Sequence, residues 1–284
     1  MLTLVHASDL HFGKPHDEGA AEDFLEAAAR VAPDLVVISG DFTQRAKVHE
    51  FEAARRFLDR LAPTPVVVTP GNHDVPLYRV VERLFDPYRN YRAHIHPELN
   101  TVTRIPGATV VSLNTAAPRR AIVNGRLLPG QVDFARQAFQ KAPEGEVRVV
   151  VAHHHLAPAP DYEGDSPLPR ARQILDAFEA MKVDLVLGGH LHRAYIGNSL
   201  DVYPGADRAR GIVIVQSGTT TSHRGRARER EKNSFNVIRA SEAGFDVTHW
   251  MRFPGGFRPF SRHRFPRRPH FWLDADAPVQ EARS

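Results

Sequence analysis

The first seventy residues alternate short, unbroken apolar runs with segments whose apolar residues recur at helical spacing. This alternation restricts the fold more than any other feature of the sequence. Residues 2–6, 35–39 and 65–69 are apolar runs of strand length. Between the first two, Phe24, Ala28 and Val31 fall at i, i+4 and i+7 of a helical segment over 18–31, with Asp17 placed to cap its start and Pro33 to stop it. Phe51, Ala54, Leu58 and Leu61 mark one face of a second helix over 48–61. A β-α-β-α-β order with right-handed crossovers predicts three parallel strands whose carboxyl ends share one edge.

The middle of the chain is less regular. A helical pattern over 78–90 is interrupted by Pro87, strands are expected over 101–105 and 109–113, and a helix over 131–140. A strong strand over 147–152, a helix over 170–181 and a strand over 184–187 follow. Beyond these, 194–196, 211–216, 235–239 and 245–251 read as strands joined by polar turns. No internal repeat is evident, and one β-rich α/β domain over 1–252 is expected. Residues 253–284, with Arg258, Arg262, Arg264, Arg267 and Arg268 among Phe and Pro, read as an extended arm that fastens to its own domain or joins a homo-oligomer.

Composition narrows the chemistry. The 284 residues contain no cysteine, which excludes disulfide scaffolds, Cys-ligated zinc, iron–sulfur clusters and thiol catalysis. A formal net charge of +4, carried mostly by arginine, is weak evidence for nucleic acid, and no nucleic-acid partner is expected. No apolar run is long enough to span a membrane, and His6 and Asp9 precede any signal-peptide stretch, so a cytoplasmic protein is expected. The 16 histidines are the informative excess.

Many of them fall in five groups of metal-type side chains, each after a predicted strand. Asp9-Leu10-His11 follows the first, Gly40-Asp41 the second and Gly71-Asn72-His73-Asp74 the third. His153-His154-His155 follows the strand over 147–152, and Gly188-Gly189-His190-Leu191-His192 the strand over 184–187. In an open α/β sheet the loops at strand carboxyl ends converge on one crevice. Each group alone is an ordinary polar turn; their shared placement points to a metal site. The glycines before Asp41, Asn72 and His190 permit close backbone approach.

The ordered pattern D-x-H, G-D, G-N-H-D, H-H-H, G-H-L-H resembles the calcineurin-like metallophosphoesterase superfamily, over about residues 1–220. The resemblance implies a four-layer α-β-β-α sandwich of two mixed sheets, with a dinuclear metal site at the strand carboxyl ends. It assigns Asp9, His11, Asp41 and His192 to one ion and Asp41, Asn72, His153 and His190 to the other, with Asp41 bridging. His73 becomes the acid facing the substrate. The superfamily usually has H-H-P-P or H-x-P after the fourth strand, where this chain has His155 and Leu156. Alignment on the end of the apolar run makes His153 the ligand, with His154 the second choice or a substrate contact.

Simple chemistry agrees with that assignment. Two divalent ions about 3.5–4 Å apart clamp an in-line displacement at phosphorus, and a water bridging them is drawn from a pKa of about 15.7 towards 7, to attack as hydroxide. A short charged carboxylate such as Asp41 can hold two cations where neutral imidazole cannot. His73 is placed to protonate a leaving alkoxide. Asp74 either orients His73 or caps the segment that follows. Nitrogen and oxygen donors suit Mn²⁺, Fe or Zn²⁺ alike.

Two segments are expected to wall the crevice. Residues 75–97 bring Tyr78, Arg79, Tyr88, Tyr91, Arg92, His94 and His96, and residues 157–167 bring Asp161, Glu163 and Asp165, which would repel a polyanion. The loop over 222–232 is either a solvated charged turn or a phosphate grip, with His223 and Arg224 as contacts. The expected substrate is a small phosphodiester of the cyclic-nucleotide or glycerophosphodiester type. The opening Ser8-Asp9-Leu10-His11-Phe12-Gly13 also resembles the DNA-repair nuclease branch, which with a phosphomonoesterase is the alternative. A non-catalytic scaffold is a remote one, since the set of ligands is complete.

Overall fold

Strands covered on both faces need no polar alternation, and the unbroken apolar runs have that origin here. The computed structural model describes residues 1–119, 124–158, 166–205 and 211–267. The chain begins β1 (Leu2–Ala7), α1 (Glu18–Val31), β2 (Leu35–Ile38), α2 (Val48–Asp59) and β3 (Val66–Val68). Two short helices, α3 (Val80–Phe85) and α4 (Arg89–His94), flank Pro87, followed by β4 (Thr101–Ile105), β5 (Ala108–Leu113) and α5 (Pro129–Gln140). Then come β6 (Val147–Ala152), α6 (Ala171–Ala180), β7 (Leu185–Gly188), β8 (Tyr195–Asn198), α7 (Ser199–Val202) and β9 (Val213–Gln216). Three strands close the described chain: β10 (Ser234–Ala240), β11 (Gly244–Phe253) and β12 (Gly256–Pro266).

Helix α1 shows how local chemistry sets boundaries. Asp17 caps it by accepting from the Ala20 N–H at 3.0 Å. At the other end Ala32 turns left-handed and donates back to the Ala28 carbonyl, and Pro33 cannot continue the helix.

The strands form two six-stranded sheets, ordered β12-β11-β10-β1-β2-β3 and β4-β5-β6-β7-β9-β8. Strands β1, β2 and β3 are parallel, as the opening pattern predicts, and so are β5, β6, β7 and β9. Three apolar layers hold the sandwich together. Leu4, Leu35 and Val37 meet Val149, Val151 and Leu185 between the sheets. Val5, Val36 and Ile38 face Phe24, Phe51 and Phe57 of α1 and α2. Val150 and Val186 face Phe139 and Phe178 of α5 and α6. This is the expected α-β-β-α arrangement, and it leaves the carboxyl ends of both parallel sets at one edge.

Residues 256–266 of the segment read as an extended arm are strand β12, paired antiparallel with β11 at the edge of the first sheet. Arg267 then reaches Asp184 (3.3 Å) and the Glu146 carbonyl (2.6 Å) of the second sheet, so this stretch fastens to its own domain. Residues 268–284 lie outside the described residues.

A buried histidine in β11 makes stability depend on pH. His249 is cross-strand partner to Asn236, whose Oδ1 accepts from its Nδ1 at 3.0 Å, and its Nε2 lies 3.8 Å from Glu229. Burial, with the nearby positive charges of Arg228 and His263, pushes it down to about 4. The unfolded chain, with a histidine near 6.5, therefore binds more protons between pH 4 and 6.5. The contribution is complete above 6.5 and is lost as pH falls through that window, by about 2 kcal/mol at pH 5. Urea unfolding at pH 7 and pH 5 should show His249→Gln losing about 2 kcal/mol less than the wild-type chain on acidification. Equal losses mean that His249 is not a source of the slope.

Candidate metal centre

The parallel register of β1 and β2 continues past both strands and draws the first two loops together. The Asp9 N–H donates to the Gly40 carbonyl at 3.0 Å, and the His11 N–H to the Asp41 carbonyl at 2.9 Å. Across the sandwich the Gly189 N–H donates to the His153 carbonyl at 2.9 Å. Two glycines are required by close approach. A Cβ on Gly71 would stand 2.1 Å from Asp41 Oδ1 and 2.4 Å from the Asp41 nitrogen, and one on Gly189 would stand 1.9 Å from Ser8 Oγ.

Five polar side chains of this edge sit on left-handed backbone: Asp9 (φ 56°), His11 (49°), Asp41 (54°), His190 (74°) and His192 (55°). Such a conformation costs a non-glycine residue about 1 kcal/mol. Its repetition at one strand edge marks a constraint from function, not from folding.

Asp9 and Asp41 are arranged alike. Asp9 Oδ2 accepts from the His190 N–H at 3.0 Å, and Asp41 Oδ1 accepts from the His73 N–H at 2.8 Å. The other oxygen of each, Asp9 Oδ1 and Asp41 Oδ2, is buried without a hydrogen-bond donor. Asp9 Oδ1 lies 3.1 Å from His192 Nε2 and 3.6 Å from His11 Nε2. Asp41 Oδ2 lies 3.7 Å from His11 Nε2 on one side and 3.4 Å from His153 Nε2 on the other. Donor atoms of Asp9, His11, Asp41 and His192 all fall within 4.8 Å of one another. Beside them, Asn72 Oδ1 lies 3.2 Å from His153 Nε2 and 2.9 Å from His190 Nδ1.

Outer hydrogen bonds orient these imidazoles. His153 Nδ1 faces the Ser39 carbonyl at 2.7 Å and His192 Nδ1 the Arg224 carbonyl at 3.1 Å, which leaves each Nε2 lone pair for the cluster. Orphaned carboxylate oxygens facing imidazole lone pairs fit a divalent cation, and the nitrogen and oxygen donor set fits a transition metal. Titration agrees. Burial alone would raise the Asp9 and Asp41 carboxyls, yet His192 and His11 hold Asp9 well below the usual range, and His153 and His73 hold Asp41 there. Burial lowers His153, but the Asp41 carboxylate overrides it and lifts the imidazole to about 9. The pocket demands positive charge.

His73 stands at the edge of this cluster, its ring edge-to-face with His11 at 4.8 Å. Its Nδ1–H donates to the Gln44 carbonyl at 2.9 Å, and its Nε2 accepts from the Arg224 guanidinium at 3.1 Å. Burial first, then Arg224, lowers its pKa, while Asp41 acts to raise it.

Asp74 corrects the reading of its role. Its carboxylate accepts from the backbone N–H groups of Phe42, Thr43 and Gly71 at 2.9–3.2 Å and from Thr43 Oγ1, so it joins two loops and does not orient the His73 ring. Gln44 does that, and nothing in the sequence distinguishes it beyond its place three residues after Asp41. His154 gives Nδ1 to Thr115 Oγ1 at 2.8 Å and packs behind His190, ring centres 4.6 Å apart. His223 is not brought to the cluster; it is exposed and pairs with Asp17 at 3.7 Å. Arg224 is brought there. The rest of its loop is largely structural: buried Glu229 accepts from the Ala194 N–H and from Ser234 Oγ. In the expected wall, Tyr91 is buried against Phe42 and Phe51, and Tyr88 donates to the Ala116 carbonyl, so both serve packing. The acidic residues Asp161, Glu163 and Asp165 lie outside the described residues.

Known proteins share this architecture and this span of sequence. Over 179 residues the chain is 27% identical to a probable cyclic nucleotide phosphodiesterase of Synechococcus sp., covering 61% of this chain and 64% of that one. Over 85 residues it is 32% identical to a glycerophosphodiester phosphodiesterase of Enterobacter lignolyticus, covering 26% of this chain and 30% of the relative. The matches thus span less than two thirds of these relatives. The structure superposes on a purple acid phosphatase from yellow lupin with a TM-score of 0.72 at 14% identity, covering all of this chain and 57% of that one, a likeness of fold. The calcineurin-like phosphoesterase family model matches residues 2–194, which include every strand-end cluster described above, and the chain belongs to that family.

Proposed function

We propose that the chain is a dinuclear metal-dependent phosphodiesterase acting on a small diester. The observation that carries this reading is the pair of buried carboxylate oxygens, Asp9 Oδ1 and Asp41 Oδ2, that lack hydrogen-bond donors and face imidazole nitrogens. Asp9, His11, Asp41 and His192 hold one ion; Asp41, Asn72, His153 and His190 hold the other. Asp41 bridges because its Oδ2 stands between His11 and His153. His153 is the ligand in preference to His154 because its Nε2 lies 3.4 Å from Asp41 Oδ2 and 3.2 Å from Asn72 Oδ1. Divalent ions there supply Lewis acidity and a deprotonated water at neutral pH.

The chain's own residues do the rest. The Gln44 carbonyl fixes the His73 ring with Nε2 directed at Arg224. A phosphate oxygen is a better acceptor for a guanidinium than neutral imidazole, so bound substrate draws Arg224 to itself and frees the Nε2 lone pair. Nε2 then takes up a proton from solvent to give the imidazolium that protonates the leaving oxygen. The single charge of Arg224 matches the single negative charge of a diester, and two of the chain's relatives are named as phosphodiesterases. The test is to strip the metals, restore Mn²⁺ and assay cyclic nucleotides, glycerophosphodiesters, monoesters and single-stranded DNA. Activity on a small diester that depends on added metal is expected. Metal-independent turnover, or turnover of monoesters or DNA alone, rejects the assignment.

A further inference from the structure

Helix α3 turns its apolar face to water. Val80, Val81, Leu84 and Phe85 share one face of it, and none of its residues is buried. With Leu77 and Tyr78 they make six of the ten large exposed apolar side chains among the described residues, gathered into nine consecutive positions. Glu82 is exposed as well, and the segment is tied down by arginines around it. Arg79 donates to the carbonyls of Arg45 and Ala46, Arg83 to that of Leu77, and Arg119 to that of Leu84. The helix is thus held to the body by arginines while its apolar stripe faces water, an arrangement that folding of the isolated chain does not favour.

We infer that this face seats the protein on an anionic phospholipid surface. The choice of occupant rests on charge. Arg45, which lies over the Tyr78 ring at 4.7 Å, and Arg83 and Arg119 ring the stripe and have no carboxylate partner among the described residues. The acids nearby are Glu82, tied to Arg79, and Asp86. A two-fold contact with a second copy would bring three such arginines from each side together with little acid to neutralise them, whereas anionic headgroups complement them and the apolar side chains enter the acyl boundary. Among the described residues no helix is long and apolar enough to cross a membrane, and the inferred contact is a peripheral one. The seat adjoins the metal centre, since Arg79 grips the loop that carries Gln44, the partner of His73 and Arg224. It would hold the cleft at headgroup level, a consequence that rests on the phosphodiesterase reading.

Co-sedimentation of the full chain with vesicles of phosphatidylcholine alone, or with about 30% phosphatidylserine, tests the seat. Binding is expected with the anionic vesicles, and Val81→Asp/Phe85→Asp should weaken it at least about tenfold. Both side chains are exposed, so circular dichroism and hydrolysis of a soluble nitrophenyl diester should be unchanged within about twofold. Absence of anionic-vesicle binding, equal binding by the variant, or a wild-type dimer in size-exclusion chromatography that the variant dissolves each overturns the inference. If neither protein hydrolyses the diester but the vesicle difference holds, the phosphodiesterase reading falls and the seat stands.

Discussion

Asp41→Asn is expected to fold, to lose its divalent ions in gel filtration, and to fall by at least about 10³-fold in kcat, because metal ions contribute several kcal/mol of charge stabilisation to such a reaction. Asparagine is isosteric and keeps an oxygen for the His73 N–H, so the loop contact survives. What disappears is the charge on Oδ2, between His11 and His153. Among the described carboxylates, Asp41 is the one whose free oxygen lies beside imidazoles of both groups of ligands, so the loss is expected to affect both proposed ions. The metal-free protein offers a second readout. The Asp41 carboxylate is what lifts His153 to about 9, so its imidazole should titrate lower in the variant by NMR. Retained metal stoichiometry together with a near-wild-type rate would overturn the bridging role.

Much of this was legible in the sequence because it depends on strand ends. Residues 2–7, 35–38, 66–68, 147–152 and 185–188 are largely buried on both faces, so apolar residues dominate them, broken by Thr3, His6 and Arg148, and clusters of polar residues follow their ends. Side chains that follow parallel strands must gather at one edge, and those of Asp9, Asp41, Asn72, His153, His190 and His192 do. The rest depends on contacts that have no pattern along the chain. Gln44, for which the sequence suggests no role, and not Asp74 meets the His73 ring because the loop after β2 folds back over the turn after β3, and only tertiary register decides which group does so. Arg224 and His223 are neighbours in sequence with opposite fates. One enters the cluster, and the other turns to the cap of α1. Strand β12 was hidden by its arginines, since an edge strand exposed on one side has no need of an apolar run.

His73→Ala separates proton donation from metal binding. Alanine retains the backbone N–H that holds Asp41 Oδ1, so the ligand loops and the metal content should be unchanged. Only the imidazole between Gln44 and Arg224 is removed. If that imidazole protonates the leaving oxygen, kcat on a diester with an alkyl leaving group falls by about 10²–10⁴-fold, the usual contribution of a positioned acid. A nitrophenyl ester, whose leaving group departs as a stable anion, should lose less than about tenfold. Arg224→Ala provides the contrast. It removes a contact that binding uses, so KM should rise for both esters by a similar factor, with a smaller change in kcat. Equal losses on the two esters in His73→Ala would mean that the ring only packs against His11, and the proton would then have to come from elsewhere in the cleft.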